Sequence, residues 1–313
     1  MRPMATLLAW MVLMLFLCQP GLAQDKRQYL VLVTSSSPVL AERFRAGCEA
    51  VAEELKIACN VVSALPGPPE GIAAIESFIS KGGSGIVLQV YGGDLAYVEV
   101  LKKARDMGVP TVIASTSLIE AASPLAEVAI SIVGVDAETF VSKISDAIKA
   151  DGAKDAAFCL LGFEQTPSPL KLAYGALTQK LEAAGAKRSD ACPEALAFQG
   201  SFEQTLFSGV QKLLAEQDVR FVILPFRADS SYIDGLKQIA AEAGRSTVFV
   251  SAWASPFELS RTGTLTLYKA QQGERVEPSQ PIQPTIQIST GAFCESCDCK
   301  TDTECKESCA ECN

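Results

Sequence analysis

Residues 85–114 read GIVLQVYGGDLAYVEVLKKARDMGVPTVIA, and this stretch decides the fold. Its two ends, Gly85–Val90 and Thr111–Ala114, have the length and apolar character of buried strands. Between them the sequence predicts a helix at about 95–107, which ends at Gly108 shortly before Pro110, a combination typical of helix termination. A strand, a helix and a strand with short connections predict parallel pairing, with helices on both faces of the sheet.

The same alternation extends along the chain in both directions. Residues 29–34 form a continuous apolar run that stops at the polar segment 35–38, which predicts a first strand buried on both faces. After a crossing strand predicted at 128–133, a second series of helices and strands continues to Ser251. The sequence therefore predicts an α/β protein with two doubly wound parallel-sheet lobes joined by crossing strands, followed by a Cys-rich irregular tail.

The amino-terminal residues predict export. Arg2 precedes an apolar run from Met4 to Cys18, and small residues at Gly21 and Ala23 provide a cleavage site. The run is shorter than the roughly 20 residues that span a bilayer, so we expect a periplasmic protein that is not integral to the membrane. The predicted organisation is a signal peptide at 1–23, an N-terminal lobe at 24–133, a C-terminal lobe at 134–272, a Pro-containing crossover at 273–290 and a Cys-rich tail at 291–313.

Composition excludes several functions. Among the 313 residues, 27 Lys and Arg stand against 36 Asp and Glu, and a net charge of −9 offers no basic surface for nucleic acid. The chain has no histidine, which excludes Ser-His-Asp and Cys-His catalysis and imidazole-held metals. No glycine-rich phosphate motif follows the first strand, and G-x-S-x-G does not occur. The sequence therefore indicates a protein that is not an enzyme and has no cofactor in its lobes.

Ligands of open parallel sheets bind outside the carboxyl ends of the strands, and two lobes place that position in the cleft between them. The loops predicted there are rich in hydroxyls, amides and aromatic rings, which suits a neutral polar ligand. Such loops are often polar for turn formation alone, so only the convergent set indicates a site. Trp253 either stacks on a ligand ring or fills the core. The predicted ligand residues from these loops are Ser36, Ser37, Tyr91, Ser115, Thr116, Gln165, Asp229 and Trp253.

Several phrases of the sequence resemble the type I periplasmic solute-binding proteins, the ribose-binding-like group that shares its fold with LacI-type repressor cores. They lie at residues 32–50, 85–114, 132–136, 229–244 and 262–271. The resemblance implies a protein that closes two lobes on a small polar ligand, sugar-like or a related metabolite, and presents it to an ABC permease or a sensor kinase. It also places Asp229 and Gln271 near polar ligand contacts.

The sequence departs from that family in two ways. Ser115 and Thr116 occupy the place of an Asp-Arg pair, and Trp253 stands where an aspartate commonly binds sugar hydroxyls, which favours a less polar or aromatic ligand. In the family, a helix after the position of Gln271 crosses back onto the first lobe. Here Gln272 is followed directly by residues 273–276, which resemble the stretch after that helix, so we expect the first lobe to lack its covering helix.

The cysteines fall into separate groups. Two pairs in the lobes, Cys48 with Cys59 and Cys159 with Cys192, are either bridged or core thiols. The tail has the spacing C-x2-C-x-C-x5-C-x3-C-x2-C, which suits either three disulfides, favoured in an oxidising compartment, or thiolate binding of Zn(II) or Cu(I). The tail cysteines are Cys294, Cys297, Cys299, Cys305, Cys309 and Cys312. An alternative function is therefore an exported metal-handling or protein-interaction scaffold that acts through this tail.

Overall fold

The computed structural model describes residues 27–292 except 36, 65–67, 91–94, 120–122, 165, 167, 198–199, 225–229 and 289–290, and of 168, 230, 231, 291 and 292 it describes the backbone only. The predicted signal peptide and the six tail cysteines lie outside the described residues. Within the described part of the chain, no helix combines the length and the apolar character needed to cross a membrane.

Six parallel strands form the first sheet. They are β1 (Gln28–Val33), β2 (Ala58–Ser63), β3 (Gly85–Val90), β4 (Thr111–Leu118), β5 (Ser131–Val135) and β10 (Ser279–Pro281), in the order β10-β5-β4-β3-β1-β2. Strand β3 is buried along its whole length, as its apolar sequence predicts. The predicted crossing strand at 128–133 is β5, which begins three residues later and belongs to this sheet.

Helices cover both faces of the first sheet. They are α1 (Pro38–Leu55), α2 (Pro68–Ser80), α3 (Val98–Asp106), α4 (Pro124–Val128) and α9 (Pro256–Gln271), and a 3-10 turn at Leu95–Tyr97 precedes α3. Phe78, Leu101 and Leu125 bring α2, α3 and α4 onto one face. Phe44 and Leu267 bring α1 and α9 onto the other. The first lobe is therefore a three-layer α/β unit, the arrangement that the strand and helix alternation predicts.

The second sheet is mixed rather than purely parallel. Its strands are β6 (Ala157–Leu160), β7 (Lys187–Arg188), β8 (Phe221–Leu224), β9 (Val248–Ala254), β11 (Pro284–Ile288) and β12 (Gly291–Ala292), in the order β12-β11-β9-β8-β6-β7. Strands β6 to β9 are parallel, whereas β11 runs antiparallel to β9 and β12 antiparallel to β11. The helices of this lobe are α5 (Ala137–Ala150), α6 (Ser168–Ala183), α7 (Phe202–Glu216) and α8 (Ser230–Glu242). Parallel pairing needs a long crossover, and β11 arrives instead by a short connection from β10.

Helix α9 corrects two predictions. It packs along α1 and against β3, β4 and β5 of the first sheet, where the Ser260 hydroxyl donates to the carbonyl oxygen of Phe44 at 2.6 Å. The expectation that the first lobe lacks a covering helix is therefore wrong, and so is the assignment of residues 256–272 to the C-terminal lobe. The predicted series of elements ends at Ser251, so α9 is an additional helix, and its buried residues include Leu259, Gly263 and Leu267.

The chain crosses between the lobes three times, after β5, after β9 and after β10. Each lobe is consequently built from separate parts of the sequence. The buried cluster that contains α1 and α9 also contains residues of α5 and α6, so one apolar core runs through both lobes.

Both cysteine pairs in the lobes form disulfides, where the sequence allowed either a bridge or two core thiols. Cys48 on α1 is bonded to Cys59 on β2, with Cα atoms 6.1 Å apart. Cys159 on β6 is bonded to Cys192, which follows β7, with Cα atoms 5.3 Å apart. The first bridge therefore ties α1 to the edge strand β2, and the second ties β6 to the segment that follows the edge strand β7.

Candidate functional site

A small pocket lies where the carboxyl ends of strands from both sheets meet. Its lining residues come from β4, β5 and β9 and from the first turns of α5 and α6: Thr116, Ser117, Leu118, Val135, Phe140, Leu170, Ala252, Trp253 and Ala254. The volume is about 10 Å³, which is room for about one water molecule. The fold thus brings Thr116 and Trp253, predicted from separate lobes, to one place.

The end of β4 is irregular, and its hydroxyl groups are bonded to backbone carbonyls. The register between β4 and β5 shifts between Ala114 and Leu118, the position of a bulge. Ser115 is buried and its hydroxyl donates to the carbonyl oxygen of Leu118 at 3.2 Å. Thr116 is half-buried and donates to the carbonyl oxygen of Val90 at 3.0 Å. The hydroxyls of Ser115 and Thr116 therefore have fixed partners on the protein.

Trp253 lies near the end of β9, opposite Thr285 of β11. Its side chain is half-buried and lines the pocket from the second lobe. The chain contains only two tryptophans, and the other, Trp10, falls within the predicted signal peptide. In a chain that begins at residue 24, Trp253 is therefore the sole indole and sits at the junction of the lobes.

Two other predicted ligand residues have structural roles. Ser37 caps helix α1, and its hydroxyl accepts a hydrogen bond from the backbone N–H of Leu40 at 3.3 Å. Gln271 lies at the opposite end of the first sheet, where its Oε1 accepts from the phenol of Tyr29 at 2.6 Å and its Nε2 donates to the carbonyl oxygen of Ser84. Gln271 is therefore far from the pocket, because α9 runs back along the first lobe and ends beside the amino-terminal ends of the strands of its sheet.

The remaining predicted ligand and metal residues lie outside the described residues. They are Ser36, Tyr91, Gln165, Asp229, Cys294, Cys297, Cys299, Cys305, Cys309 and Cys312. Among the residues that are described, no three Cys, Asp or Glu side chains are grouped to hold a metal ion.

Sequence reasoning missed an aromatic cluster at the carboxyl end of the second sheet. The rings of Phe163 and Phe202 are 4.9 Å apart at their centroids, and Tyr232 meets Phe202 edge-on at 6.3 Å. Phe202 begins α7 and Tyr232 lies in the first turn of α8, so both follow strands of this sheet. Their only signal in the sequence is an aromatic residue at each predicted helix start.

Sequence reasoning also missed Gln89, the one polar residue inside the apolar run of β3. It is 2% exposed, yet it lies at the carboxyl end of the central strands. Its side chain bonds to Thr34, just after β1, and to Thr116 on β4. Gln89 therefore joins the ends of three adjacent strands beneath the predicted site.

The pocket itself is uncharged, since none of its nine lining residues is ionisable. Asp136 lies beside it, at the first crossing, and caps α5. Its carboxylate accepts from the backbone N–H of Thr139 at 2.8 Å and from the Thr139 hydroxyl at 2.6 Å. Burial, the largest single influence, raises the pKa of Asp136, but these hydrogen bonds together outweigh it and hold the pKa below its ordinary value of 3.8.

A larger groove of about 380 Å³ lies between α5 and α6. It is mainly apolar, and Leu172 at its side is 77% exposed. Lys180 donates to the hydroxyl of Ser142 at 2.9 Å across it. None of the residues predicted to bind ligand lines this groove.

Two lobes with these sheet orders and three crossings are the architecture of the type I periplasmic binding proteins. No family model and no curated protein matches the sequence. Solved structures match it, several of them at 12–17% identity, and a likeness at so low an identity shows the fold alone. The chain therefore has the type I periplasmic binding protein fold.

Three of the similar structures illustrate the likeness. GanP, a glucose-galactose binding protein from Geobacillus stearothermophilus, has a TM-score of 0.63 at 12% identity, over 85% of this chain and 98% of that one. A periplasmic solute-binding protein from Actinobacillus succinogenes with bound D-allose has a TM-score of 0.67 at 14% identity, over 83% and 97%. A periplasmic ribose ABC transporter protein from Conexibacter woesei has a TM-score of 0.67 at 13% identity, over 85% and 92%.

Proposed function

We propose that this protein is a periplasmic solute-binding protein that closes its two lobes on a small, neutral, sugar-like ligand and presents it to an ABC permease or a sensor. The observation that carries the proposal is the meeting of Thr116 and Trp253, from different lobes, in one uncharged pocket at the strand ends. The sugar-binding proteins with the same fold support the ligand class. Export is supported by the predicted signal peptide and by the two disulfides, which persist in oxidising compartments.

The size of the pocket bears on how a ligand would enter. Pockets for small ligands commonly have volumes of about 300–1,000 Å³, far above the room for one water found here. For Thr116 and Trp253 to contact a ligand, the lobes must separate at these residues. We therefore infer that the protein binds ligand from a more open arrangement, by rotation about the three crossings.

Trp253 provides the test. The chain from residue 24 onward, titrated with D-glucose, D-galactose, D-allose and D-ribose, is expected to change its tryptophan emission with at least one of them and to melt at a higher temperature in its presence. Leu172→Ala, at the α5–α6 groove, is the matched control that should leave this titration unchanged. If none of the four sugars changes the tryptophan emission or raises the melting temperature, that result argues strongly against the proposal.

A further inference from the structure

Three hydroxyl side chains follow one another at the carboxyl end of β4, and they differ in their partners. The hydroxyl of Ser115 donates to the carbonyl oxygen of Leu118, and that of Thr116 donates to the carbonyl oxygen of Val90. The hydroxyl oxygen of Ser117 is buried and has no hydrogen-bond partner. Of the three, Ser117 is therefore the residue whose hydroxyl proton is not held by the protein.

The position of Ser117 distinguishes it from the other hydroxyls of this kind. Among the described residues, five hydroxyls are buried without a partner, and Ser117 is the one of them that lines the pocket between the lobes. The other four belong to Thr111, Ser131, Ser145 and Ser251. A buried hydroxyl without a partner destabilises the folded protein unless another group pairs with it. At Ser117, such a group can enter from the cleft.

The side chains that the second lobe contributes to the pocket do not pair with Ser117. One of them is the indole of Trp253, and the others are apolar: Phe140, Leu170, Ala252 and Ala254. Apolar side chains neither donate nor accept hydrogen bonds. Closure of the lobes therefore takes the Ser117 hydroxyl out of water, and these side chains offer it no replacement for the hydrogen bonds that it loses.

We propose that Ser117 is a binding residue whose hydroxyl donates a hydrogen bond to the ligand from the first lobe, and that it selects ligands with a hydroxyl group at that position. This rests on the proposed function and sharpens it. A ligand hydroxyl pairs the group that closure otherwise leaves unpaired, whereas a hydrogen atom at the same position leaves it unpaired. Because the proton of Thr116 is held by Val90, Ser117 supplies the donor at this end of β4.

The test begins with two matched exchanges, Ser117→Ala and Ser131→Ala. Both remove a buried hydroxyl without a partner from the first lobe, but Ser131 is the first residue of β5, whereas its last residue, Val135, lines the pocket. Neither exchange is expected to lower the free energy of unfolding in urea, because neither removes a hydrogen bond of the protein. In calorimetric titrations, Ser117→Ala is expected to bind each sugar that the wild type binds about tenfold more weakly, and Ser131→Ala should bind it as the wild type does.

Monodeoxy derivatives of each bound sugar then identify the hydrogen bond, because each replaces one hydroxyl by hydrogen. With the wild type, the derivative that lacks the partner of Ser117 is expected to bind about tenfold more weakly than the parent sugar. With Ser117→Ala, the ratio of these two Kd values is expected to fall towards one, while the ratios at the other ring positions stay as they are in the wild type.

Three results would overturn the inference. The first is binding by Ser117→Ala as tight as binding by the wild type, and the second is weaker binding with every ratio unchanged. The third is a loss of folding or of stability in Ser117→Ala that Ser131→Ala does not share, because the hydroxyl would then serve the fold. If the wild type binds none of the sugars, the proposed function fails and this inference fails with it, whereas any of the three results with a wild type that binds sugar overturns this inference alone.

Discussion

The two disulfides differ in the length of chain that they close, and this difference gives a quantitative prediction. Cys159 and Cys192 are 33 residues apart in sequence, whereas Cys48 and Cys59 are 11 apart. In the chain-entropy description, a disulfide stabilises the folded protein by restricting the unfolded chain, more strongly for longer loops. At 25 °C this gives about 3.7 kcal/mol for the longer loop and about 2.8 kcal/mol for the shorter one.

The perturbation is the replacement of each pair by alanine, in separate double variants. Cys159→Ala/Cys192→Ala is expected to lower the free energy of unfolding by about 1 kcal/mol more than Cys48→Ala/Cys59→Ala. Because both variants remove two sulfur atoms and leave two methyl groups, much of the packing loss cancels in the comparison. Each variant is therefore the matched control for the other.

The assay is urea unfolding of the full chain under non-reducing conditions, followed by circular dichroism, with midpoints and slopes fitted for both variants and the wild type. Equal losses, or a larger loss for the shorter loop, would refute the loop-closure reasoning. Alkylation of the unfolded, unreduced wild type supplies a second check. Modification of any of the four lobe cysteines would contradict the bridges themselves.

Three further predictions concern single residues. A Cβ at Gly47 would lie 2.3 Å from the carbonyl oxygen of Phe257, so Gly47→Ala is expected to lower the free energy of unfolding in urea by about 1–3 kcal/mol. The control is Gly175→Ala, whose Cβ would have no neighbour within 4 Å and which should be neutral or stabilising. Similar values for the two variants would contradict the close packing of α1 and α9. Burial raises the pKa of Tyr29 to about 12. The contribution of Tyr29 to stability is therefore complete below pH 10 and is lost as the pH rises from about 10 towards 12, by about 3 kcal/mol in all. Unfolding of the wild type and of Tyr29→Phe at about pH 9 and about pH 11.5 measures this loss, and equal losses in the two proteins would refute the prediction. The lowered pKa of Asp136 makes its contribution complete above pH 3.8 and lost as the pH falls through the lower folded-state value, so Asp136→Asn should remove that part of the acid dependence, and identical acid profiles would exclude it.

The strand and helix elements of the fold follow largely from the sequence because their signals are local. Apolar runs such as Gly85–Val90 and stop signals such as Gly108 act within a few residues, and the structure has those elements where they are predicted. The lobe that each element joins is not local information. Helix α9 begins at Pro256 with an ordinary amphipathic pattern, and only its contacts with α1 place it on the first lobe.

The same distinction applies to the candidate site. Thr116 and Trp253 could be predicted, because the carboxyl ends of parallel strands must meet in a two-lobed α/β protein. The placement of Gln271 rested on a resemblance in register, and the position of α9 moved it to the far edge of the sheet. Gln89 is a polar residue in an apolar run, and that pattern does not indicate to which neighbouring strands its side-chain amide will hydrogen-bond.

The three crossings have a consequence for how the protein can be made. A ribosome delivers β1 to β5 first, yet the first lobe receives α9 and β10 only after the whole body of the second lobe has been synthesised. The second sheet in turn waits for β11. Neither lobe can complete its structure before residue 281 has emerged, so both lobes stay incompletely folded until that point of synthesis. In the export that we propose, the chain passes through a secretion channel in an extended form, and this late completion favours that passage.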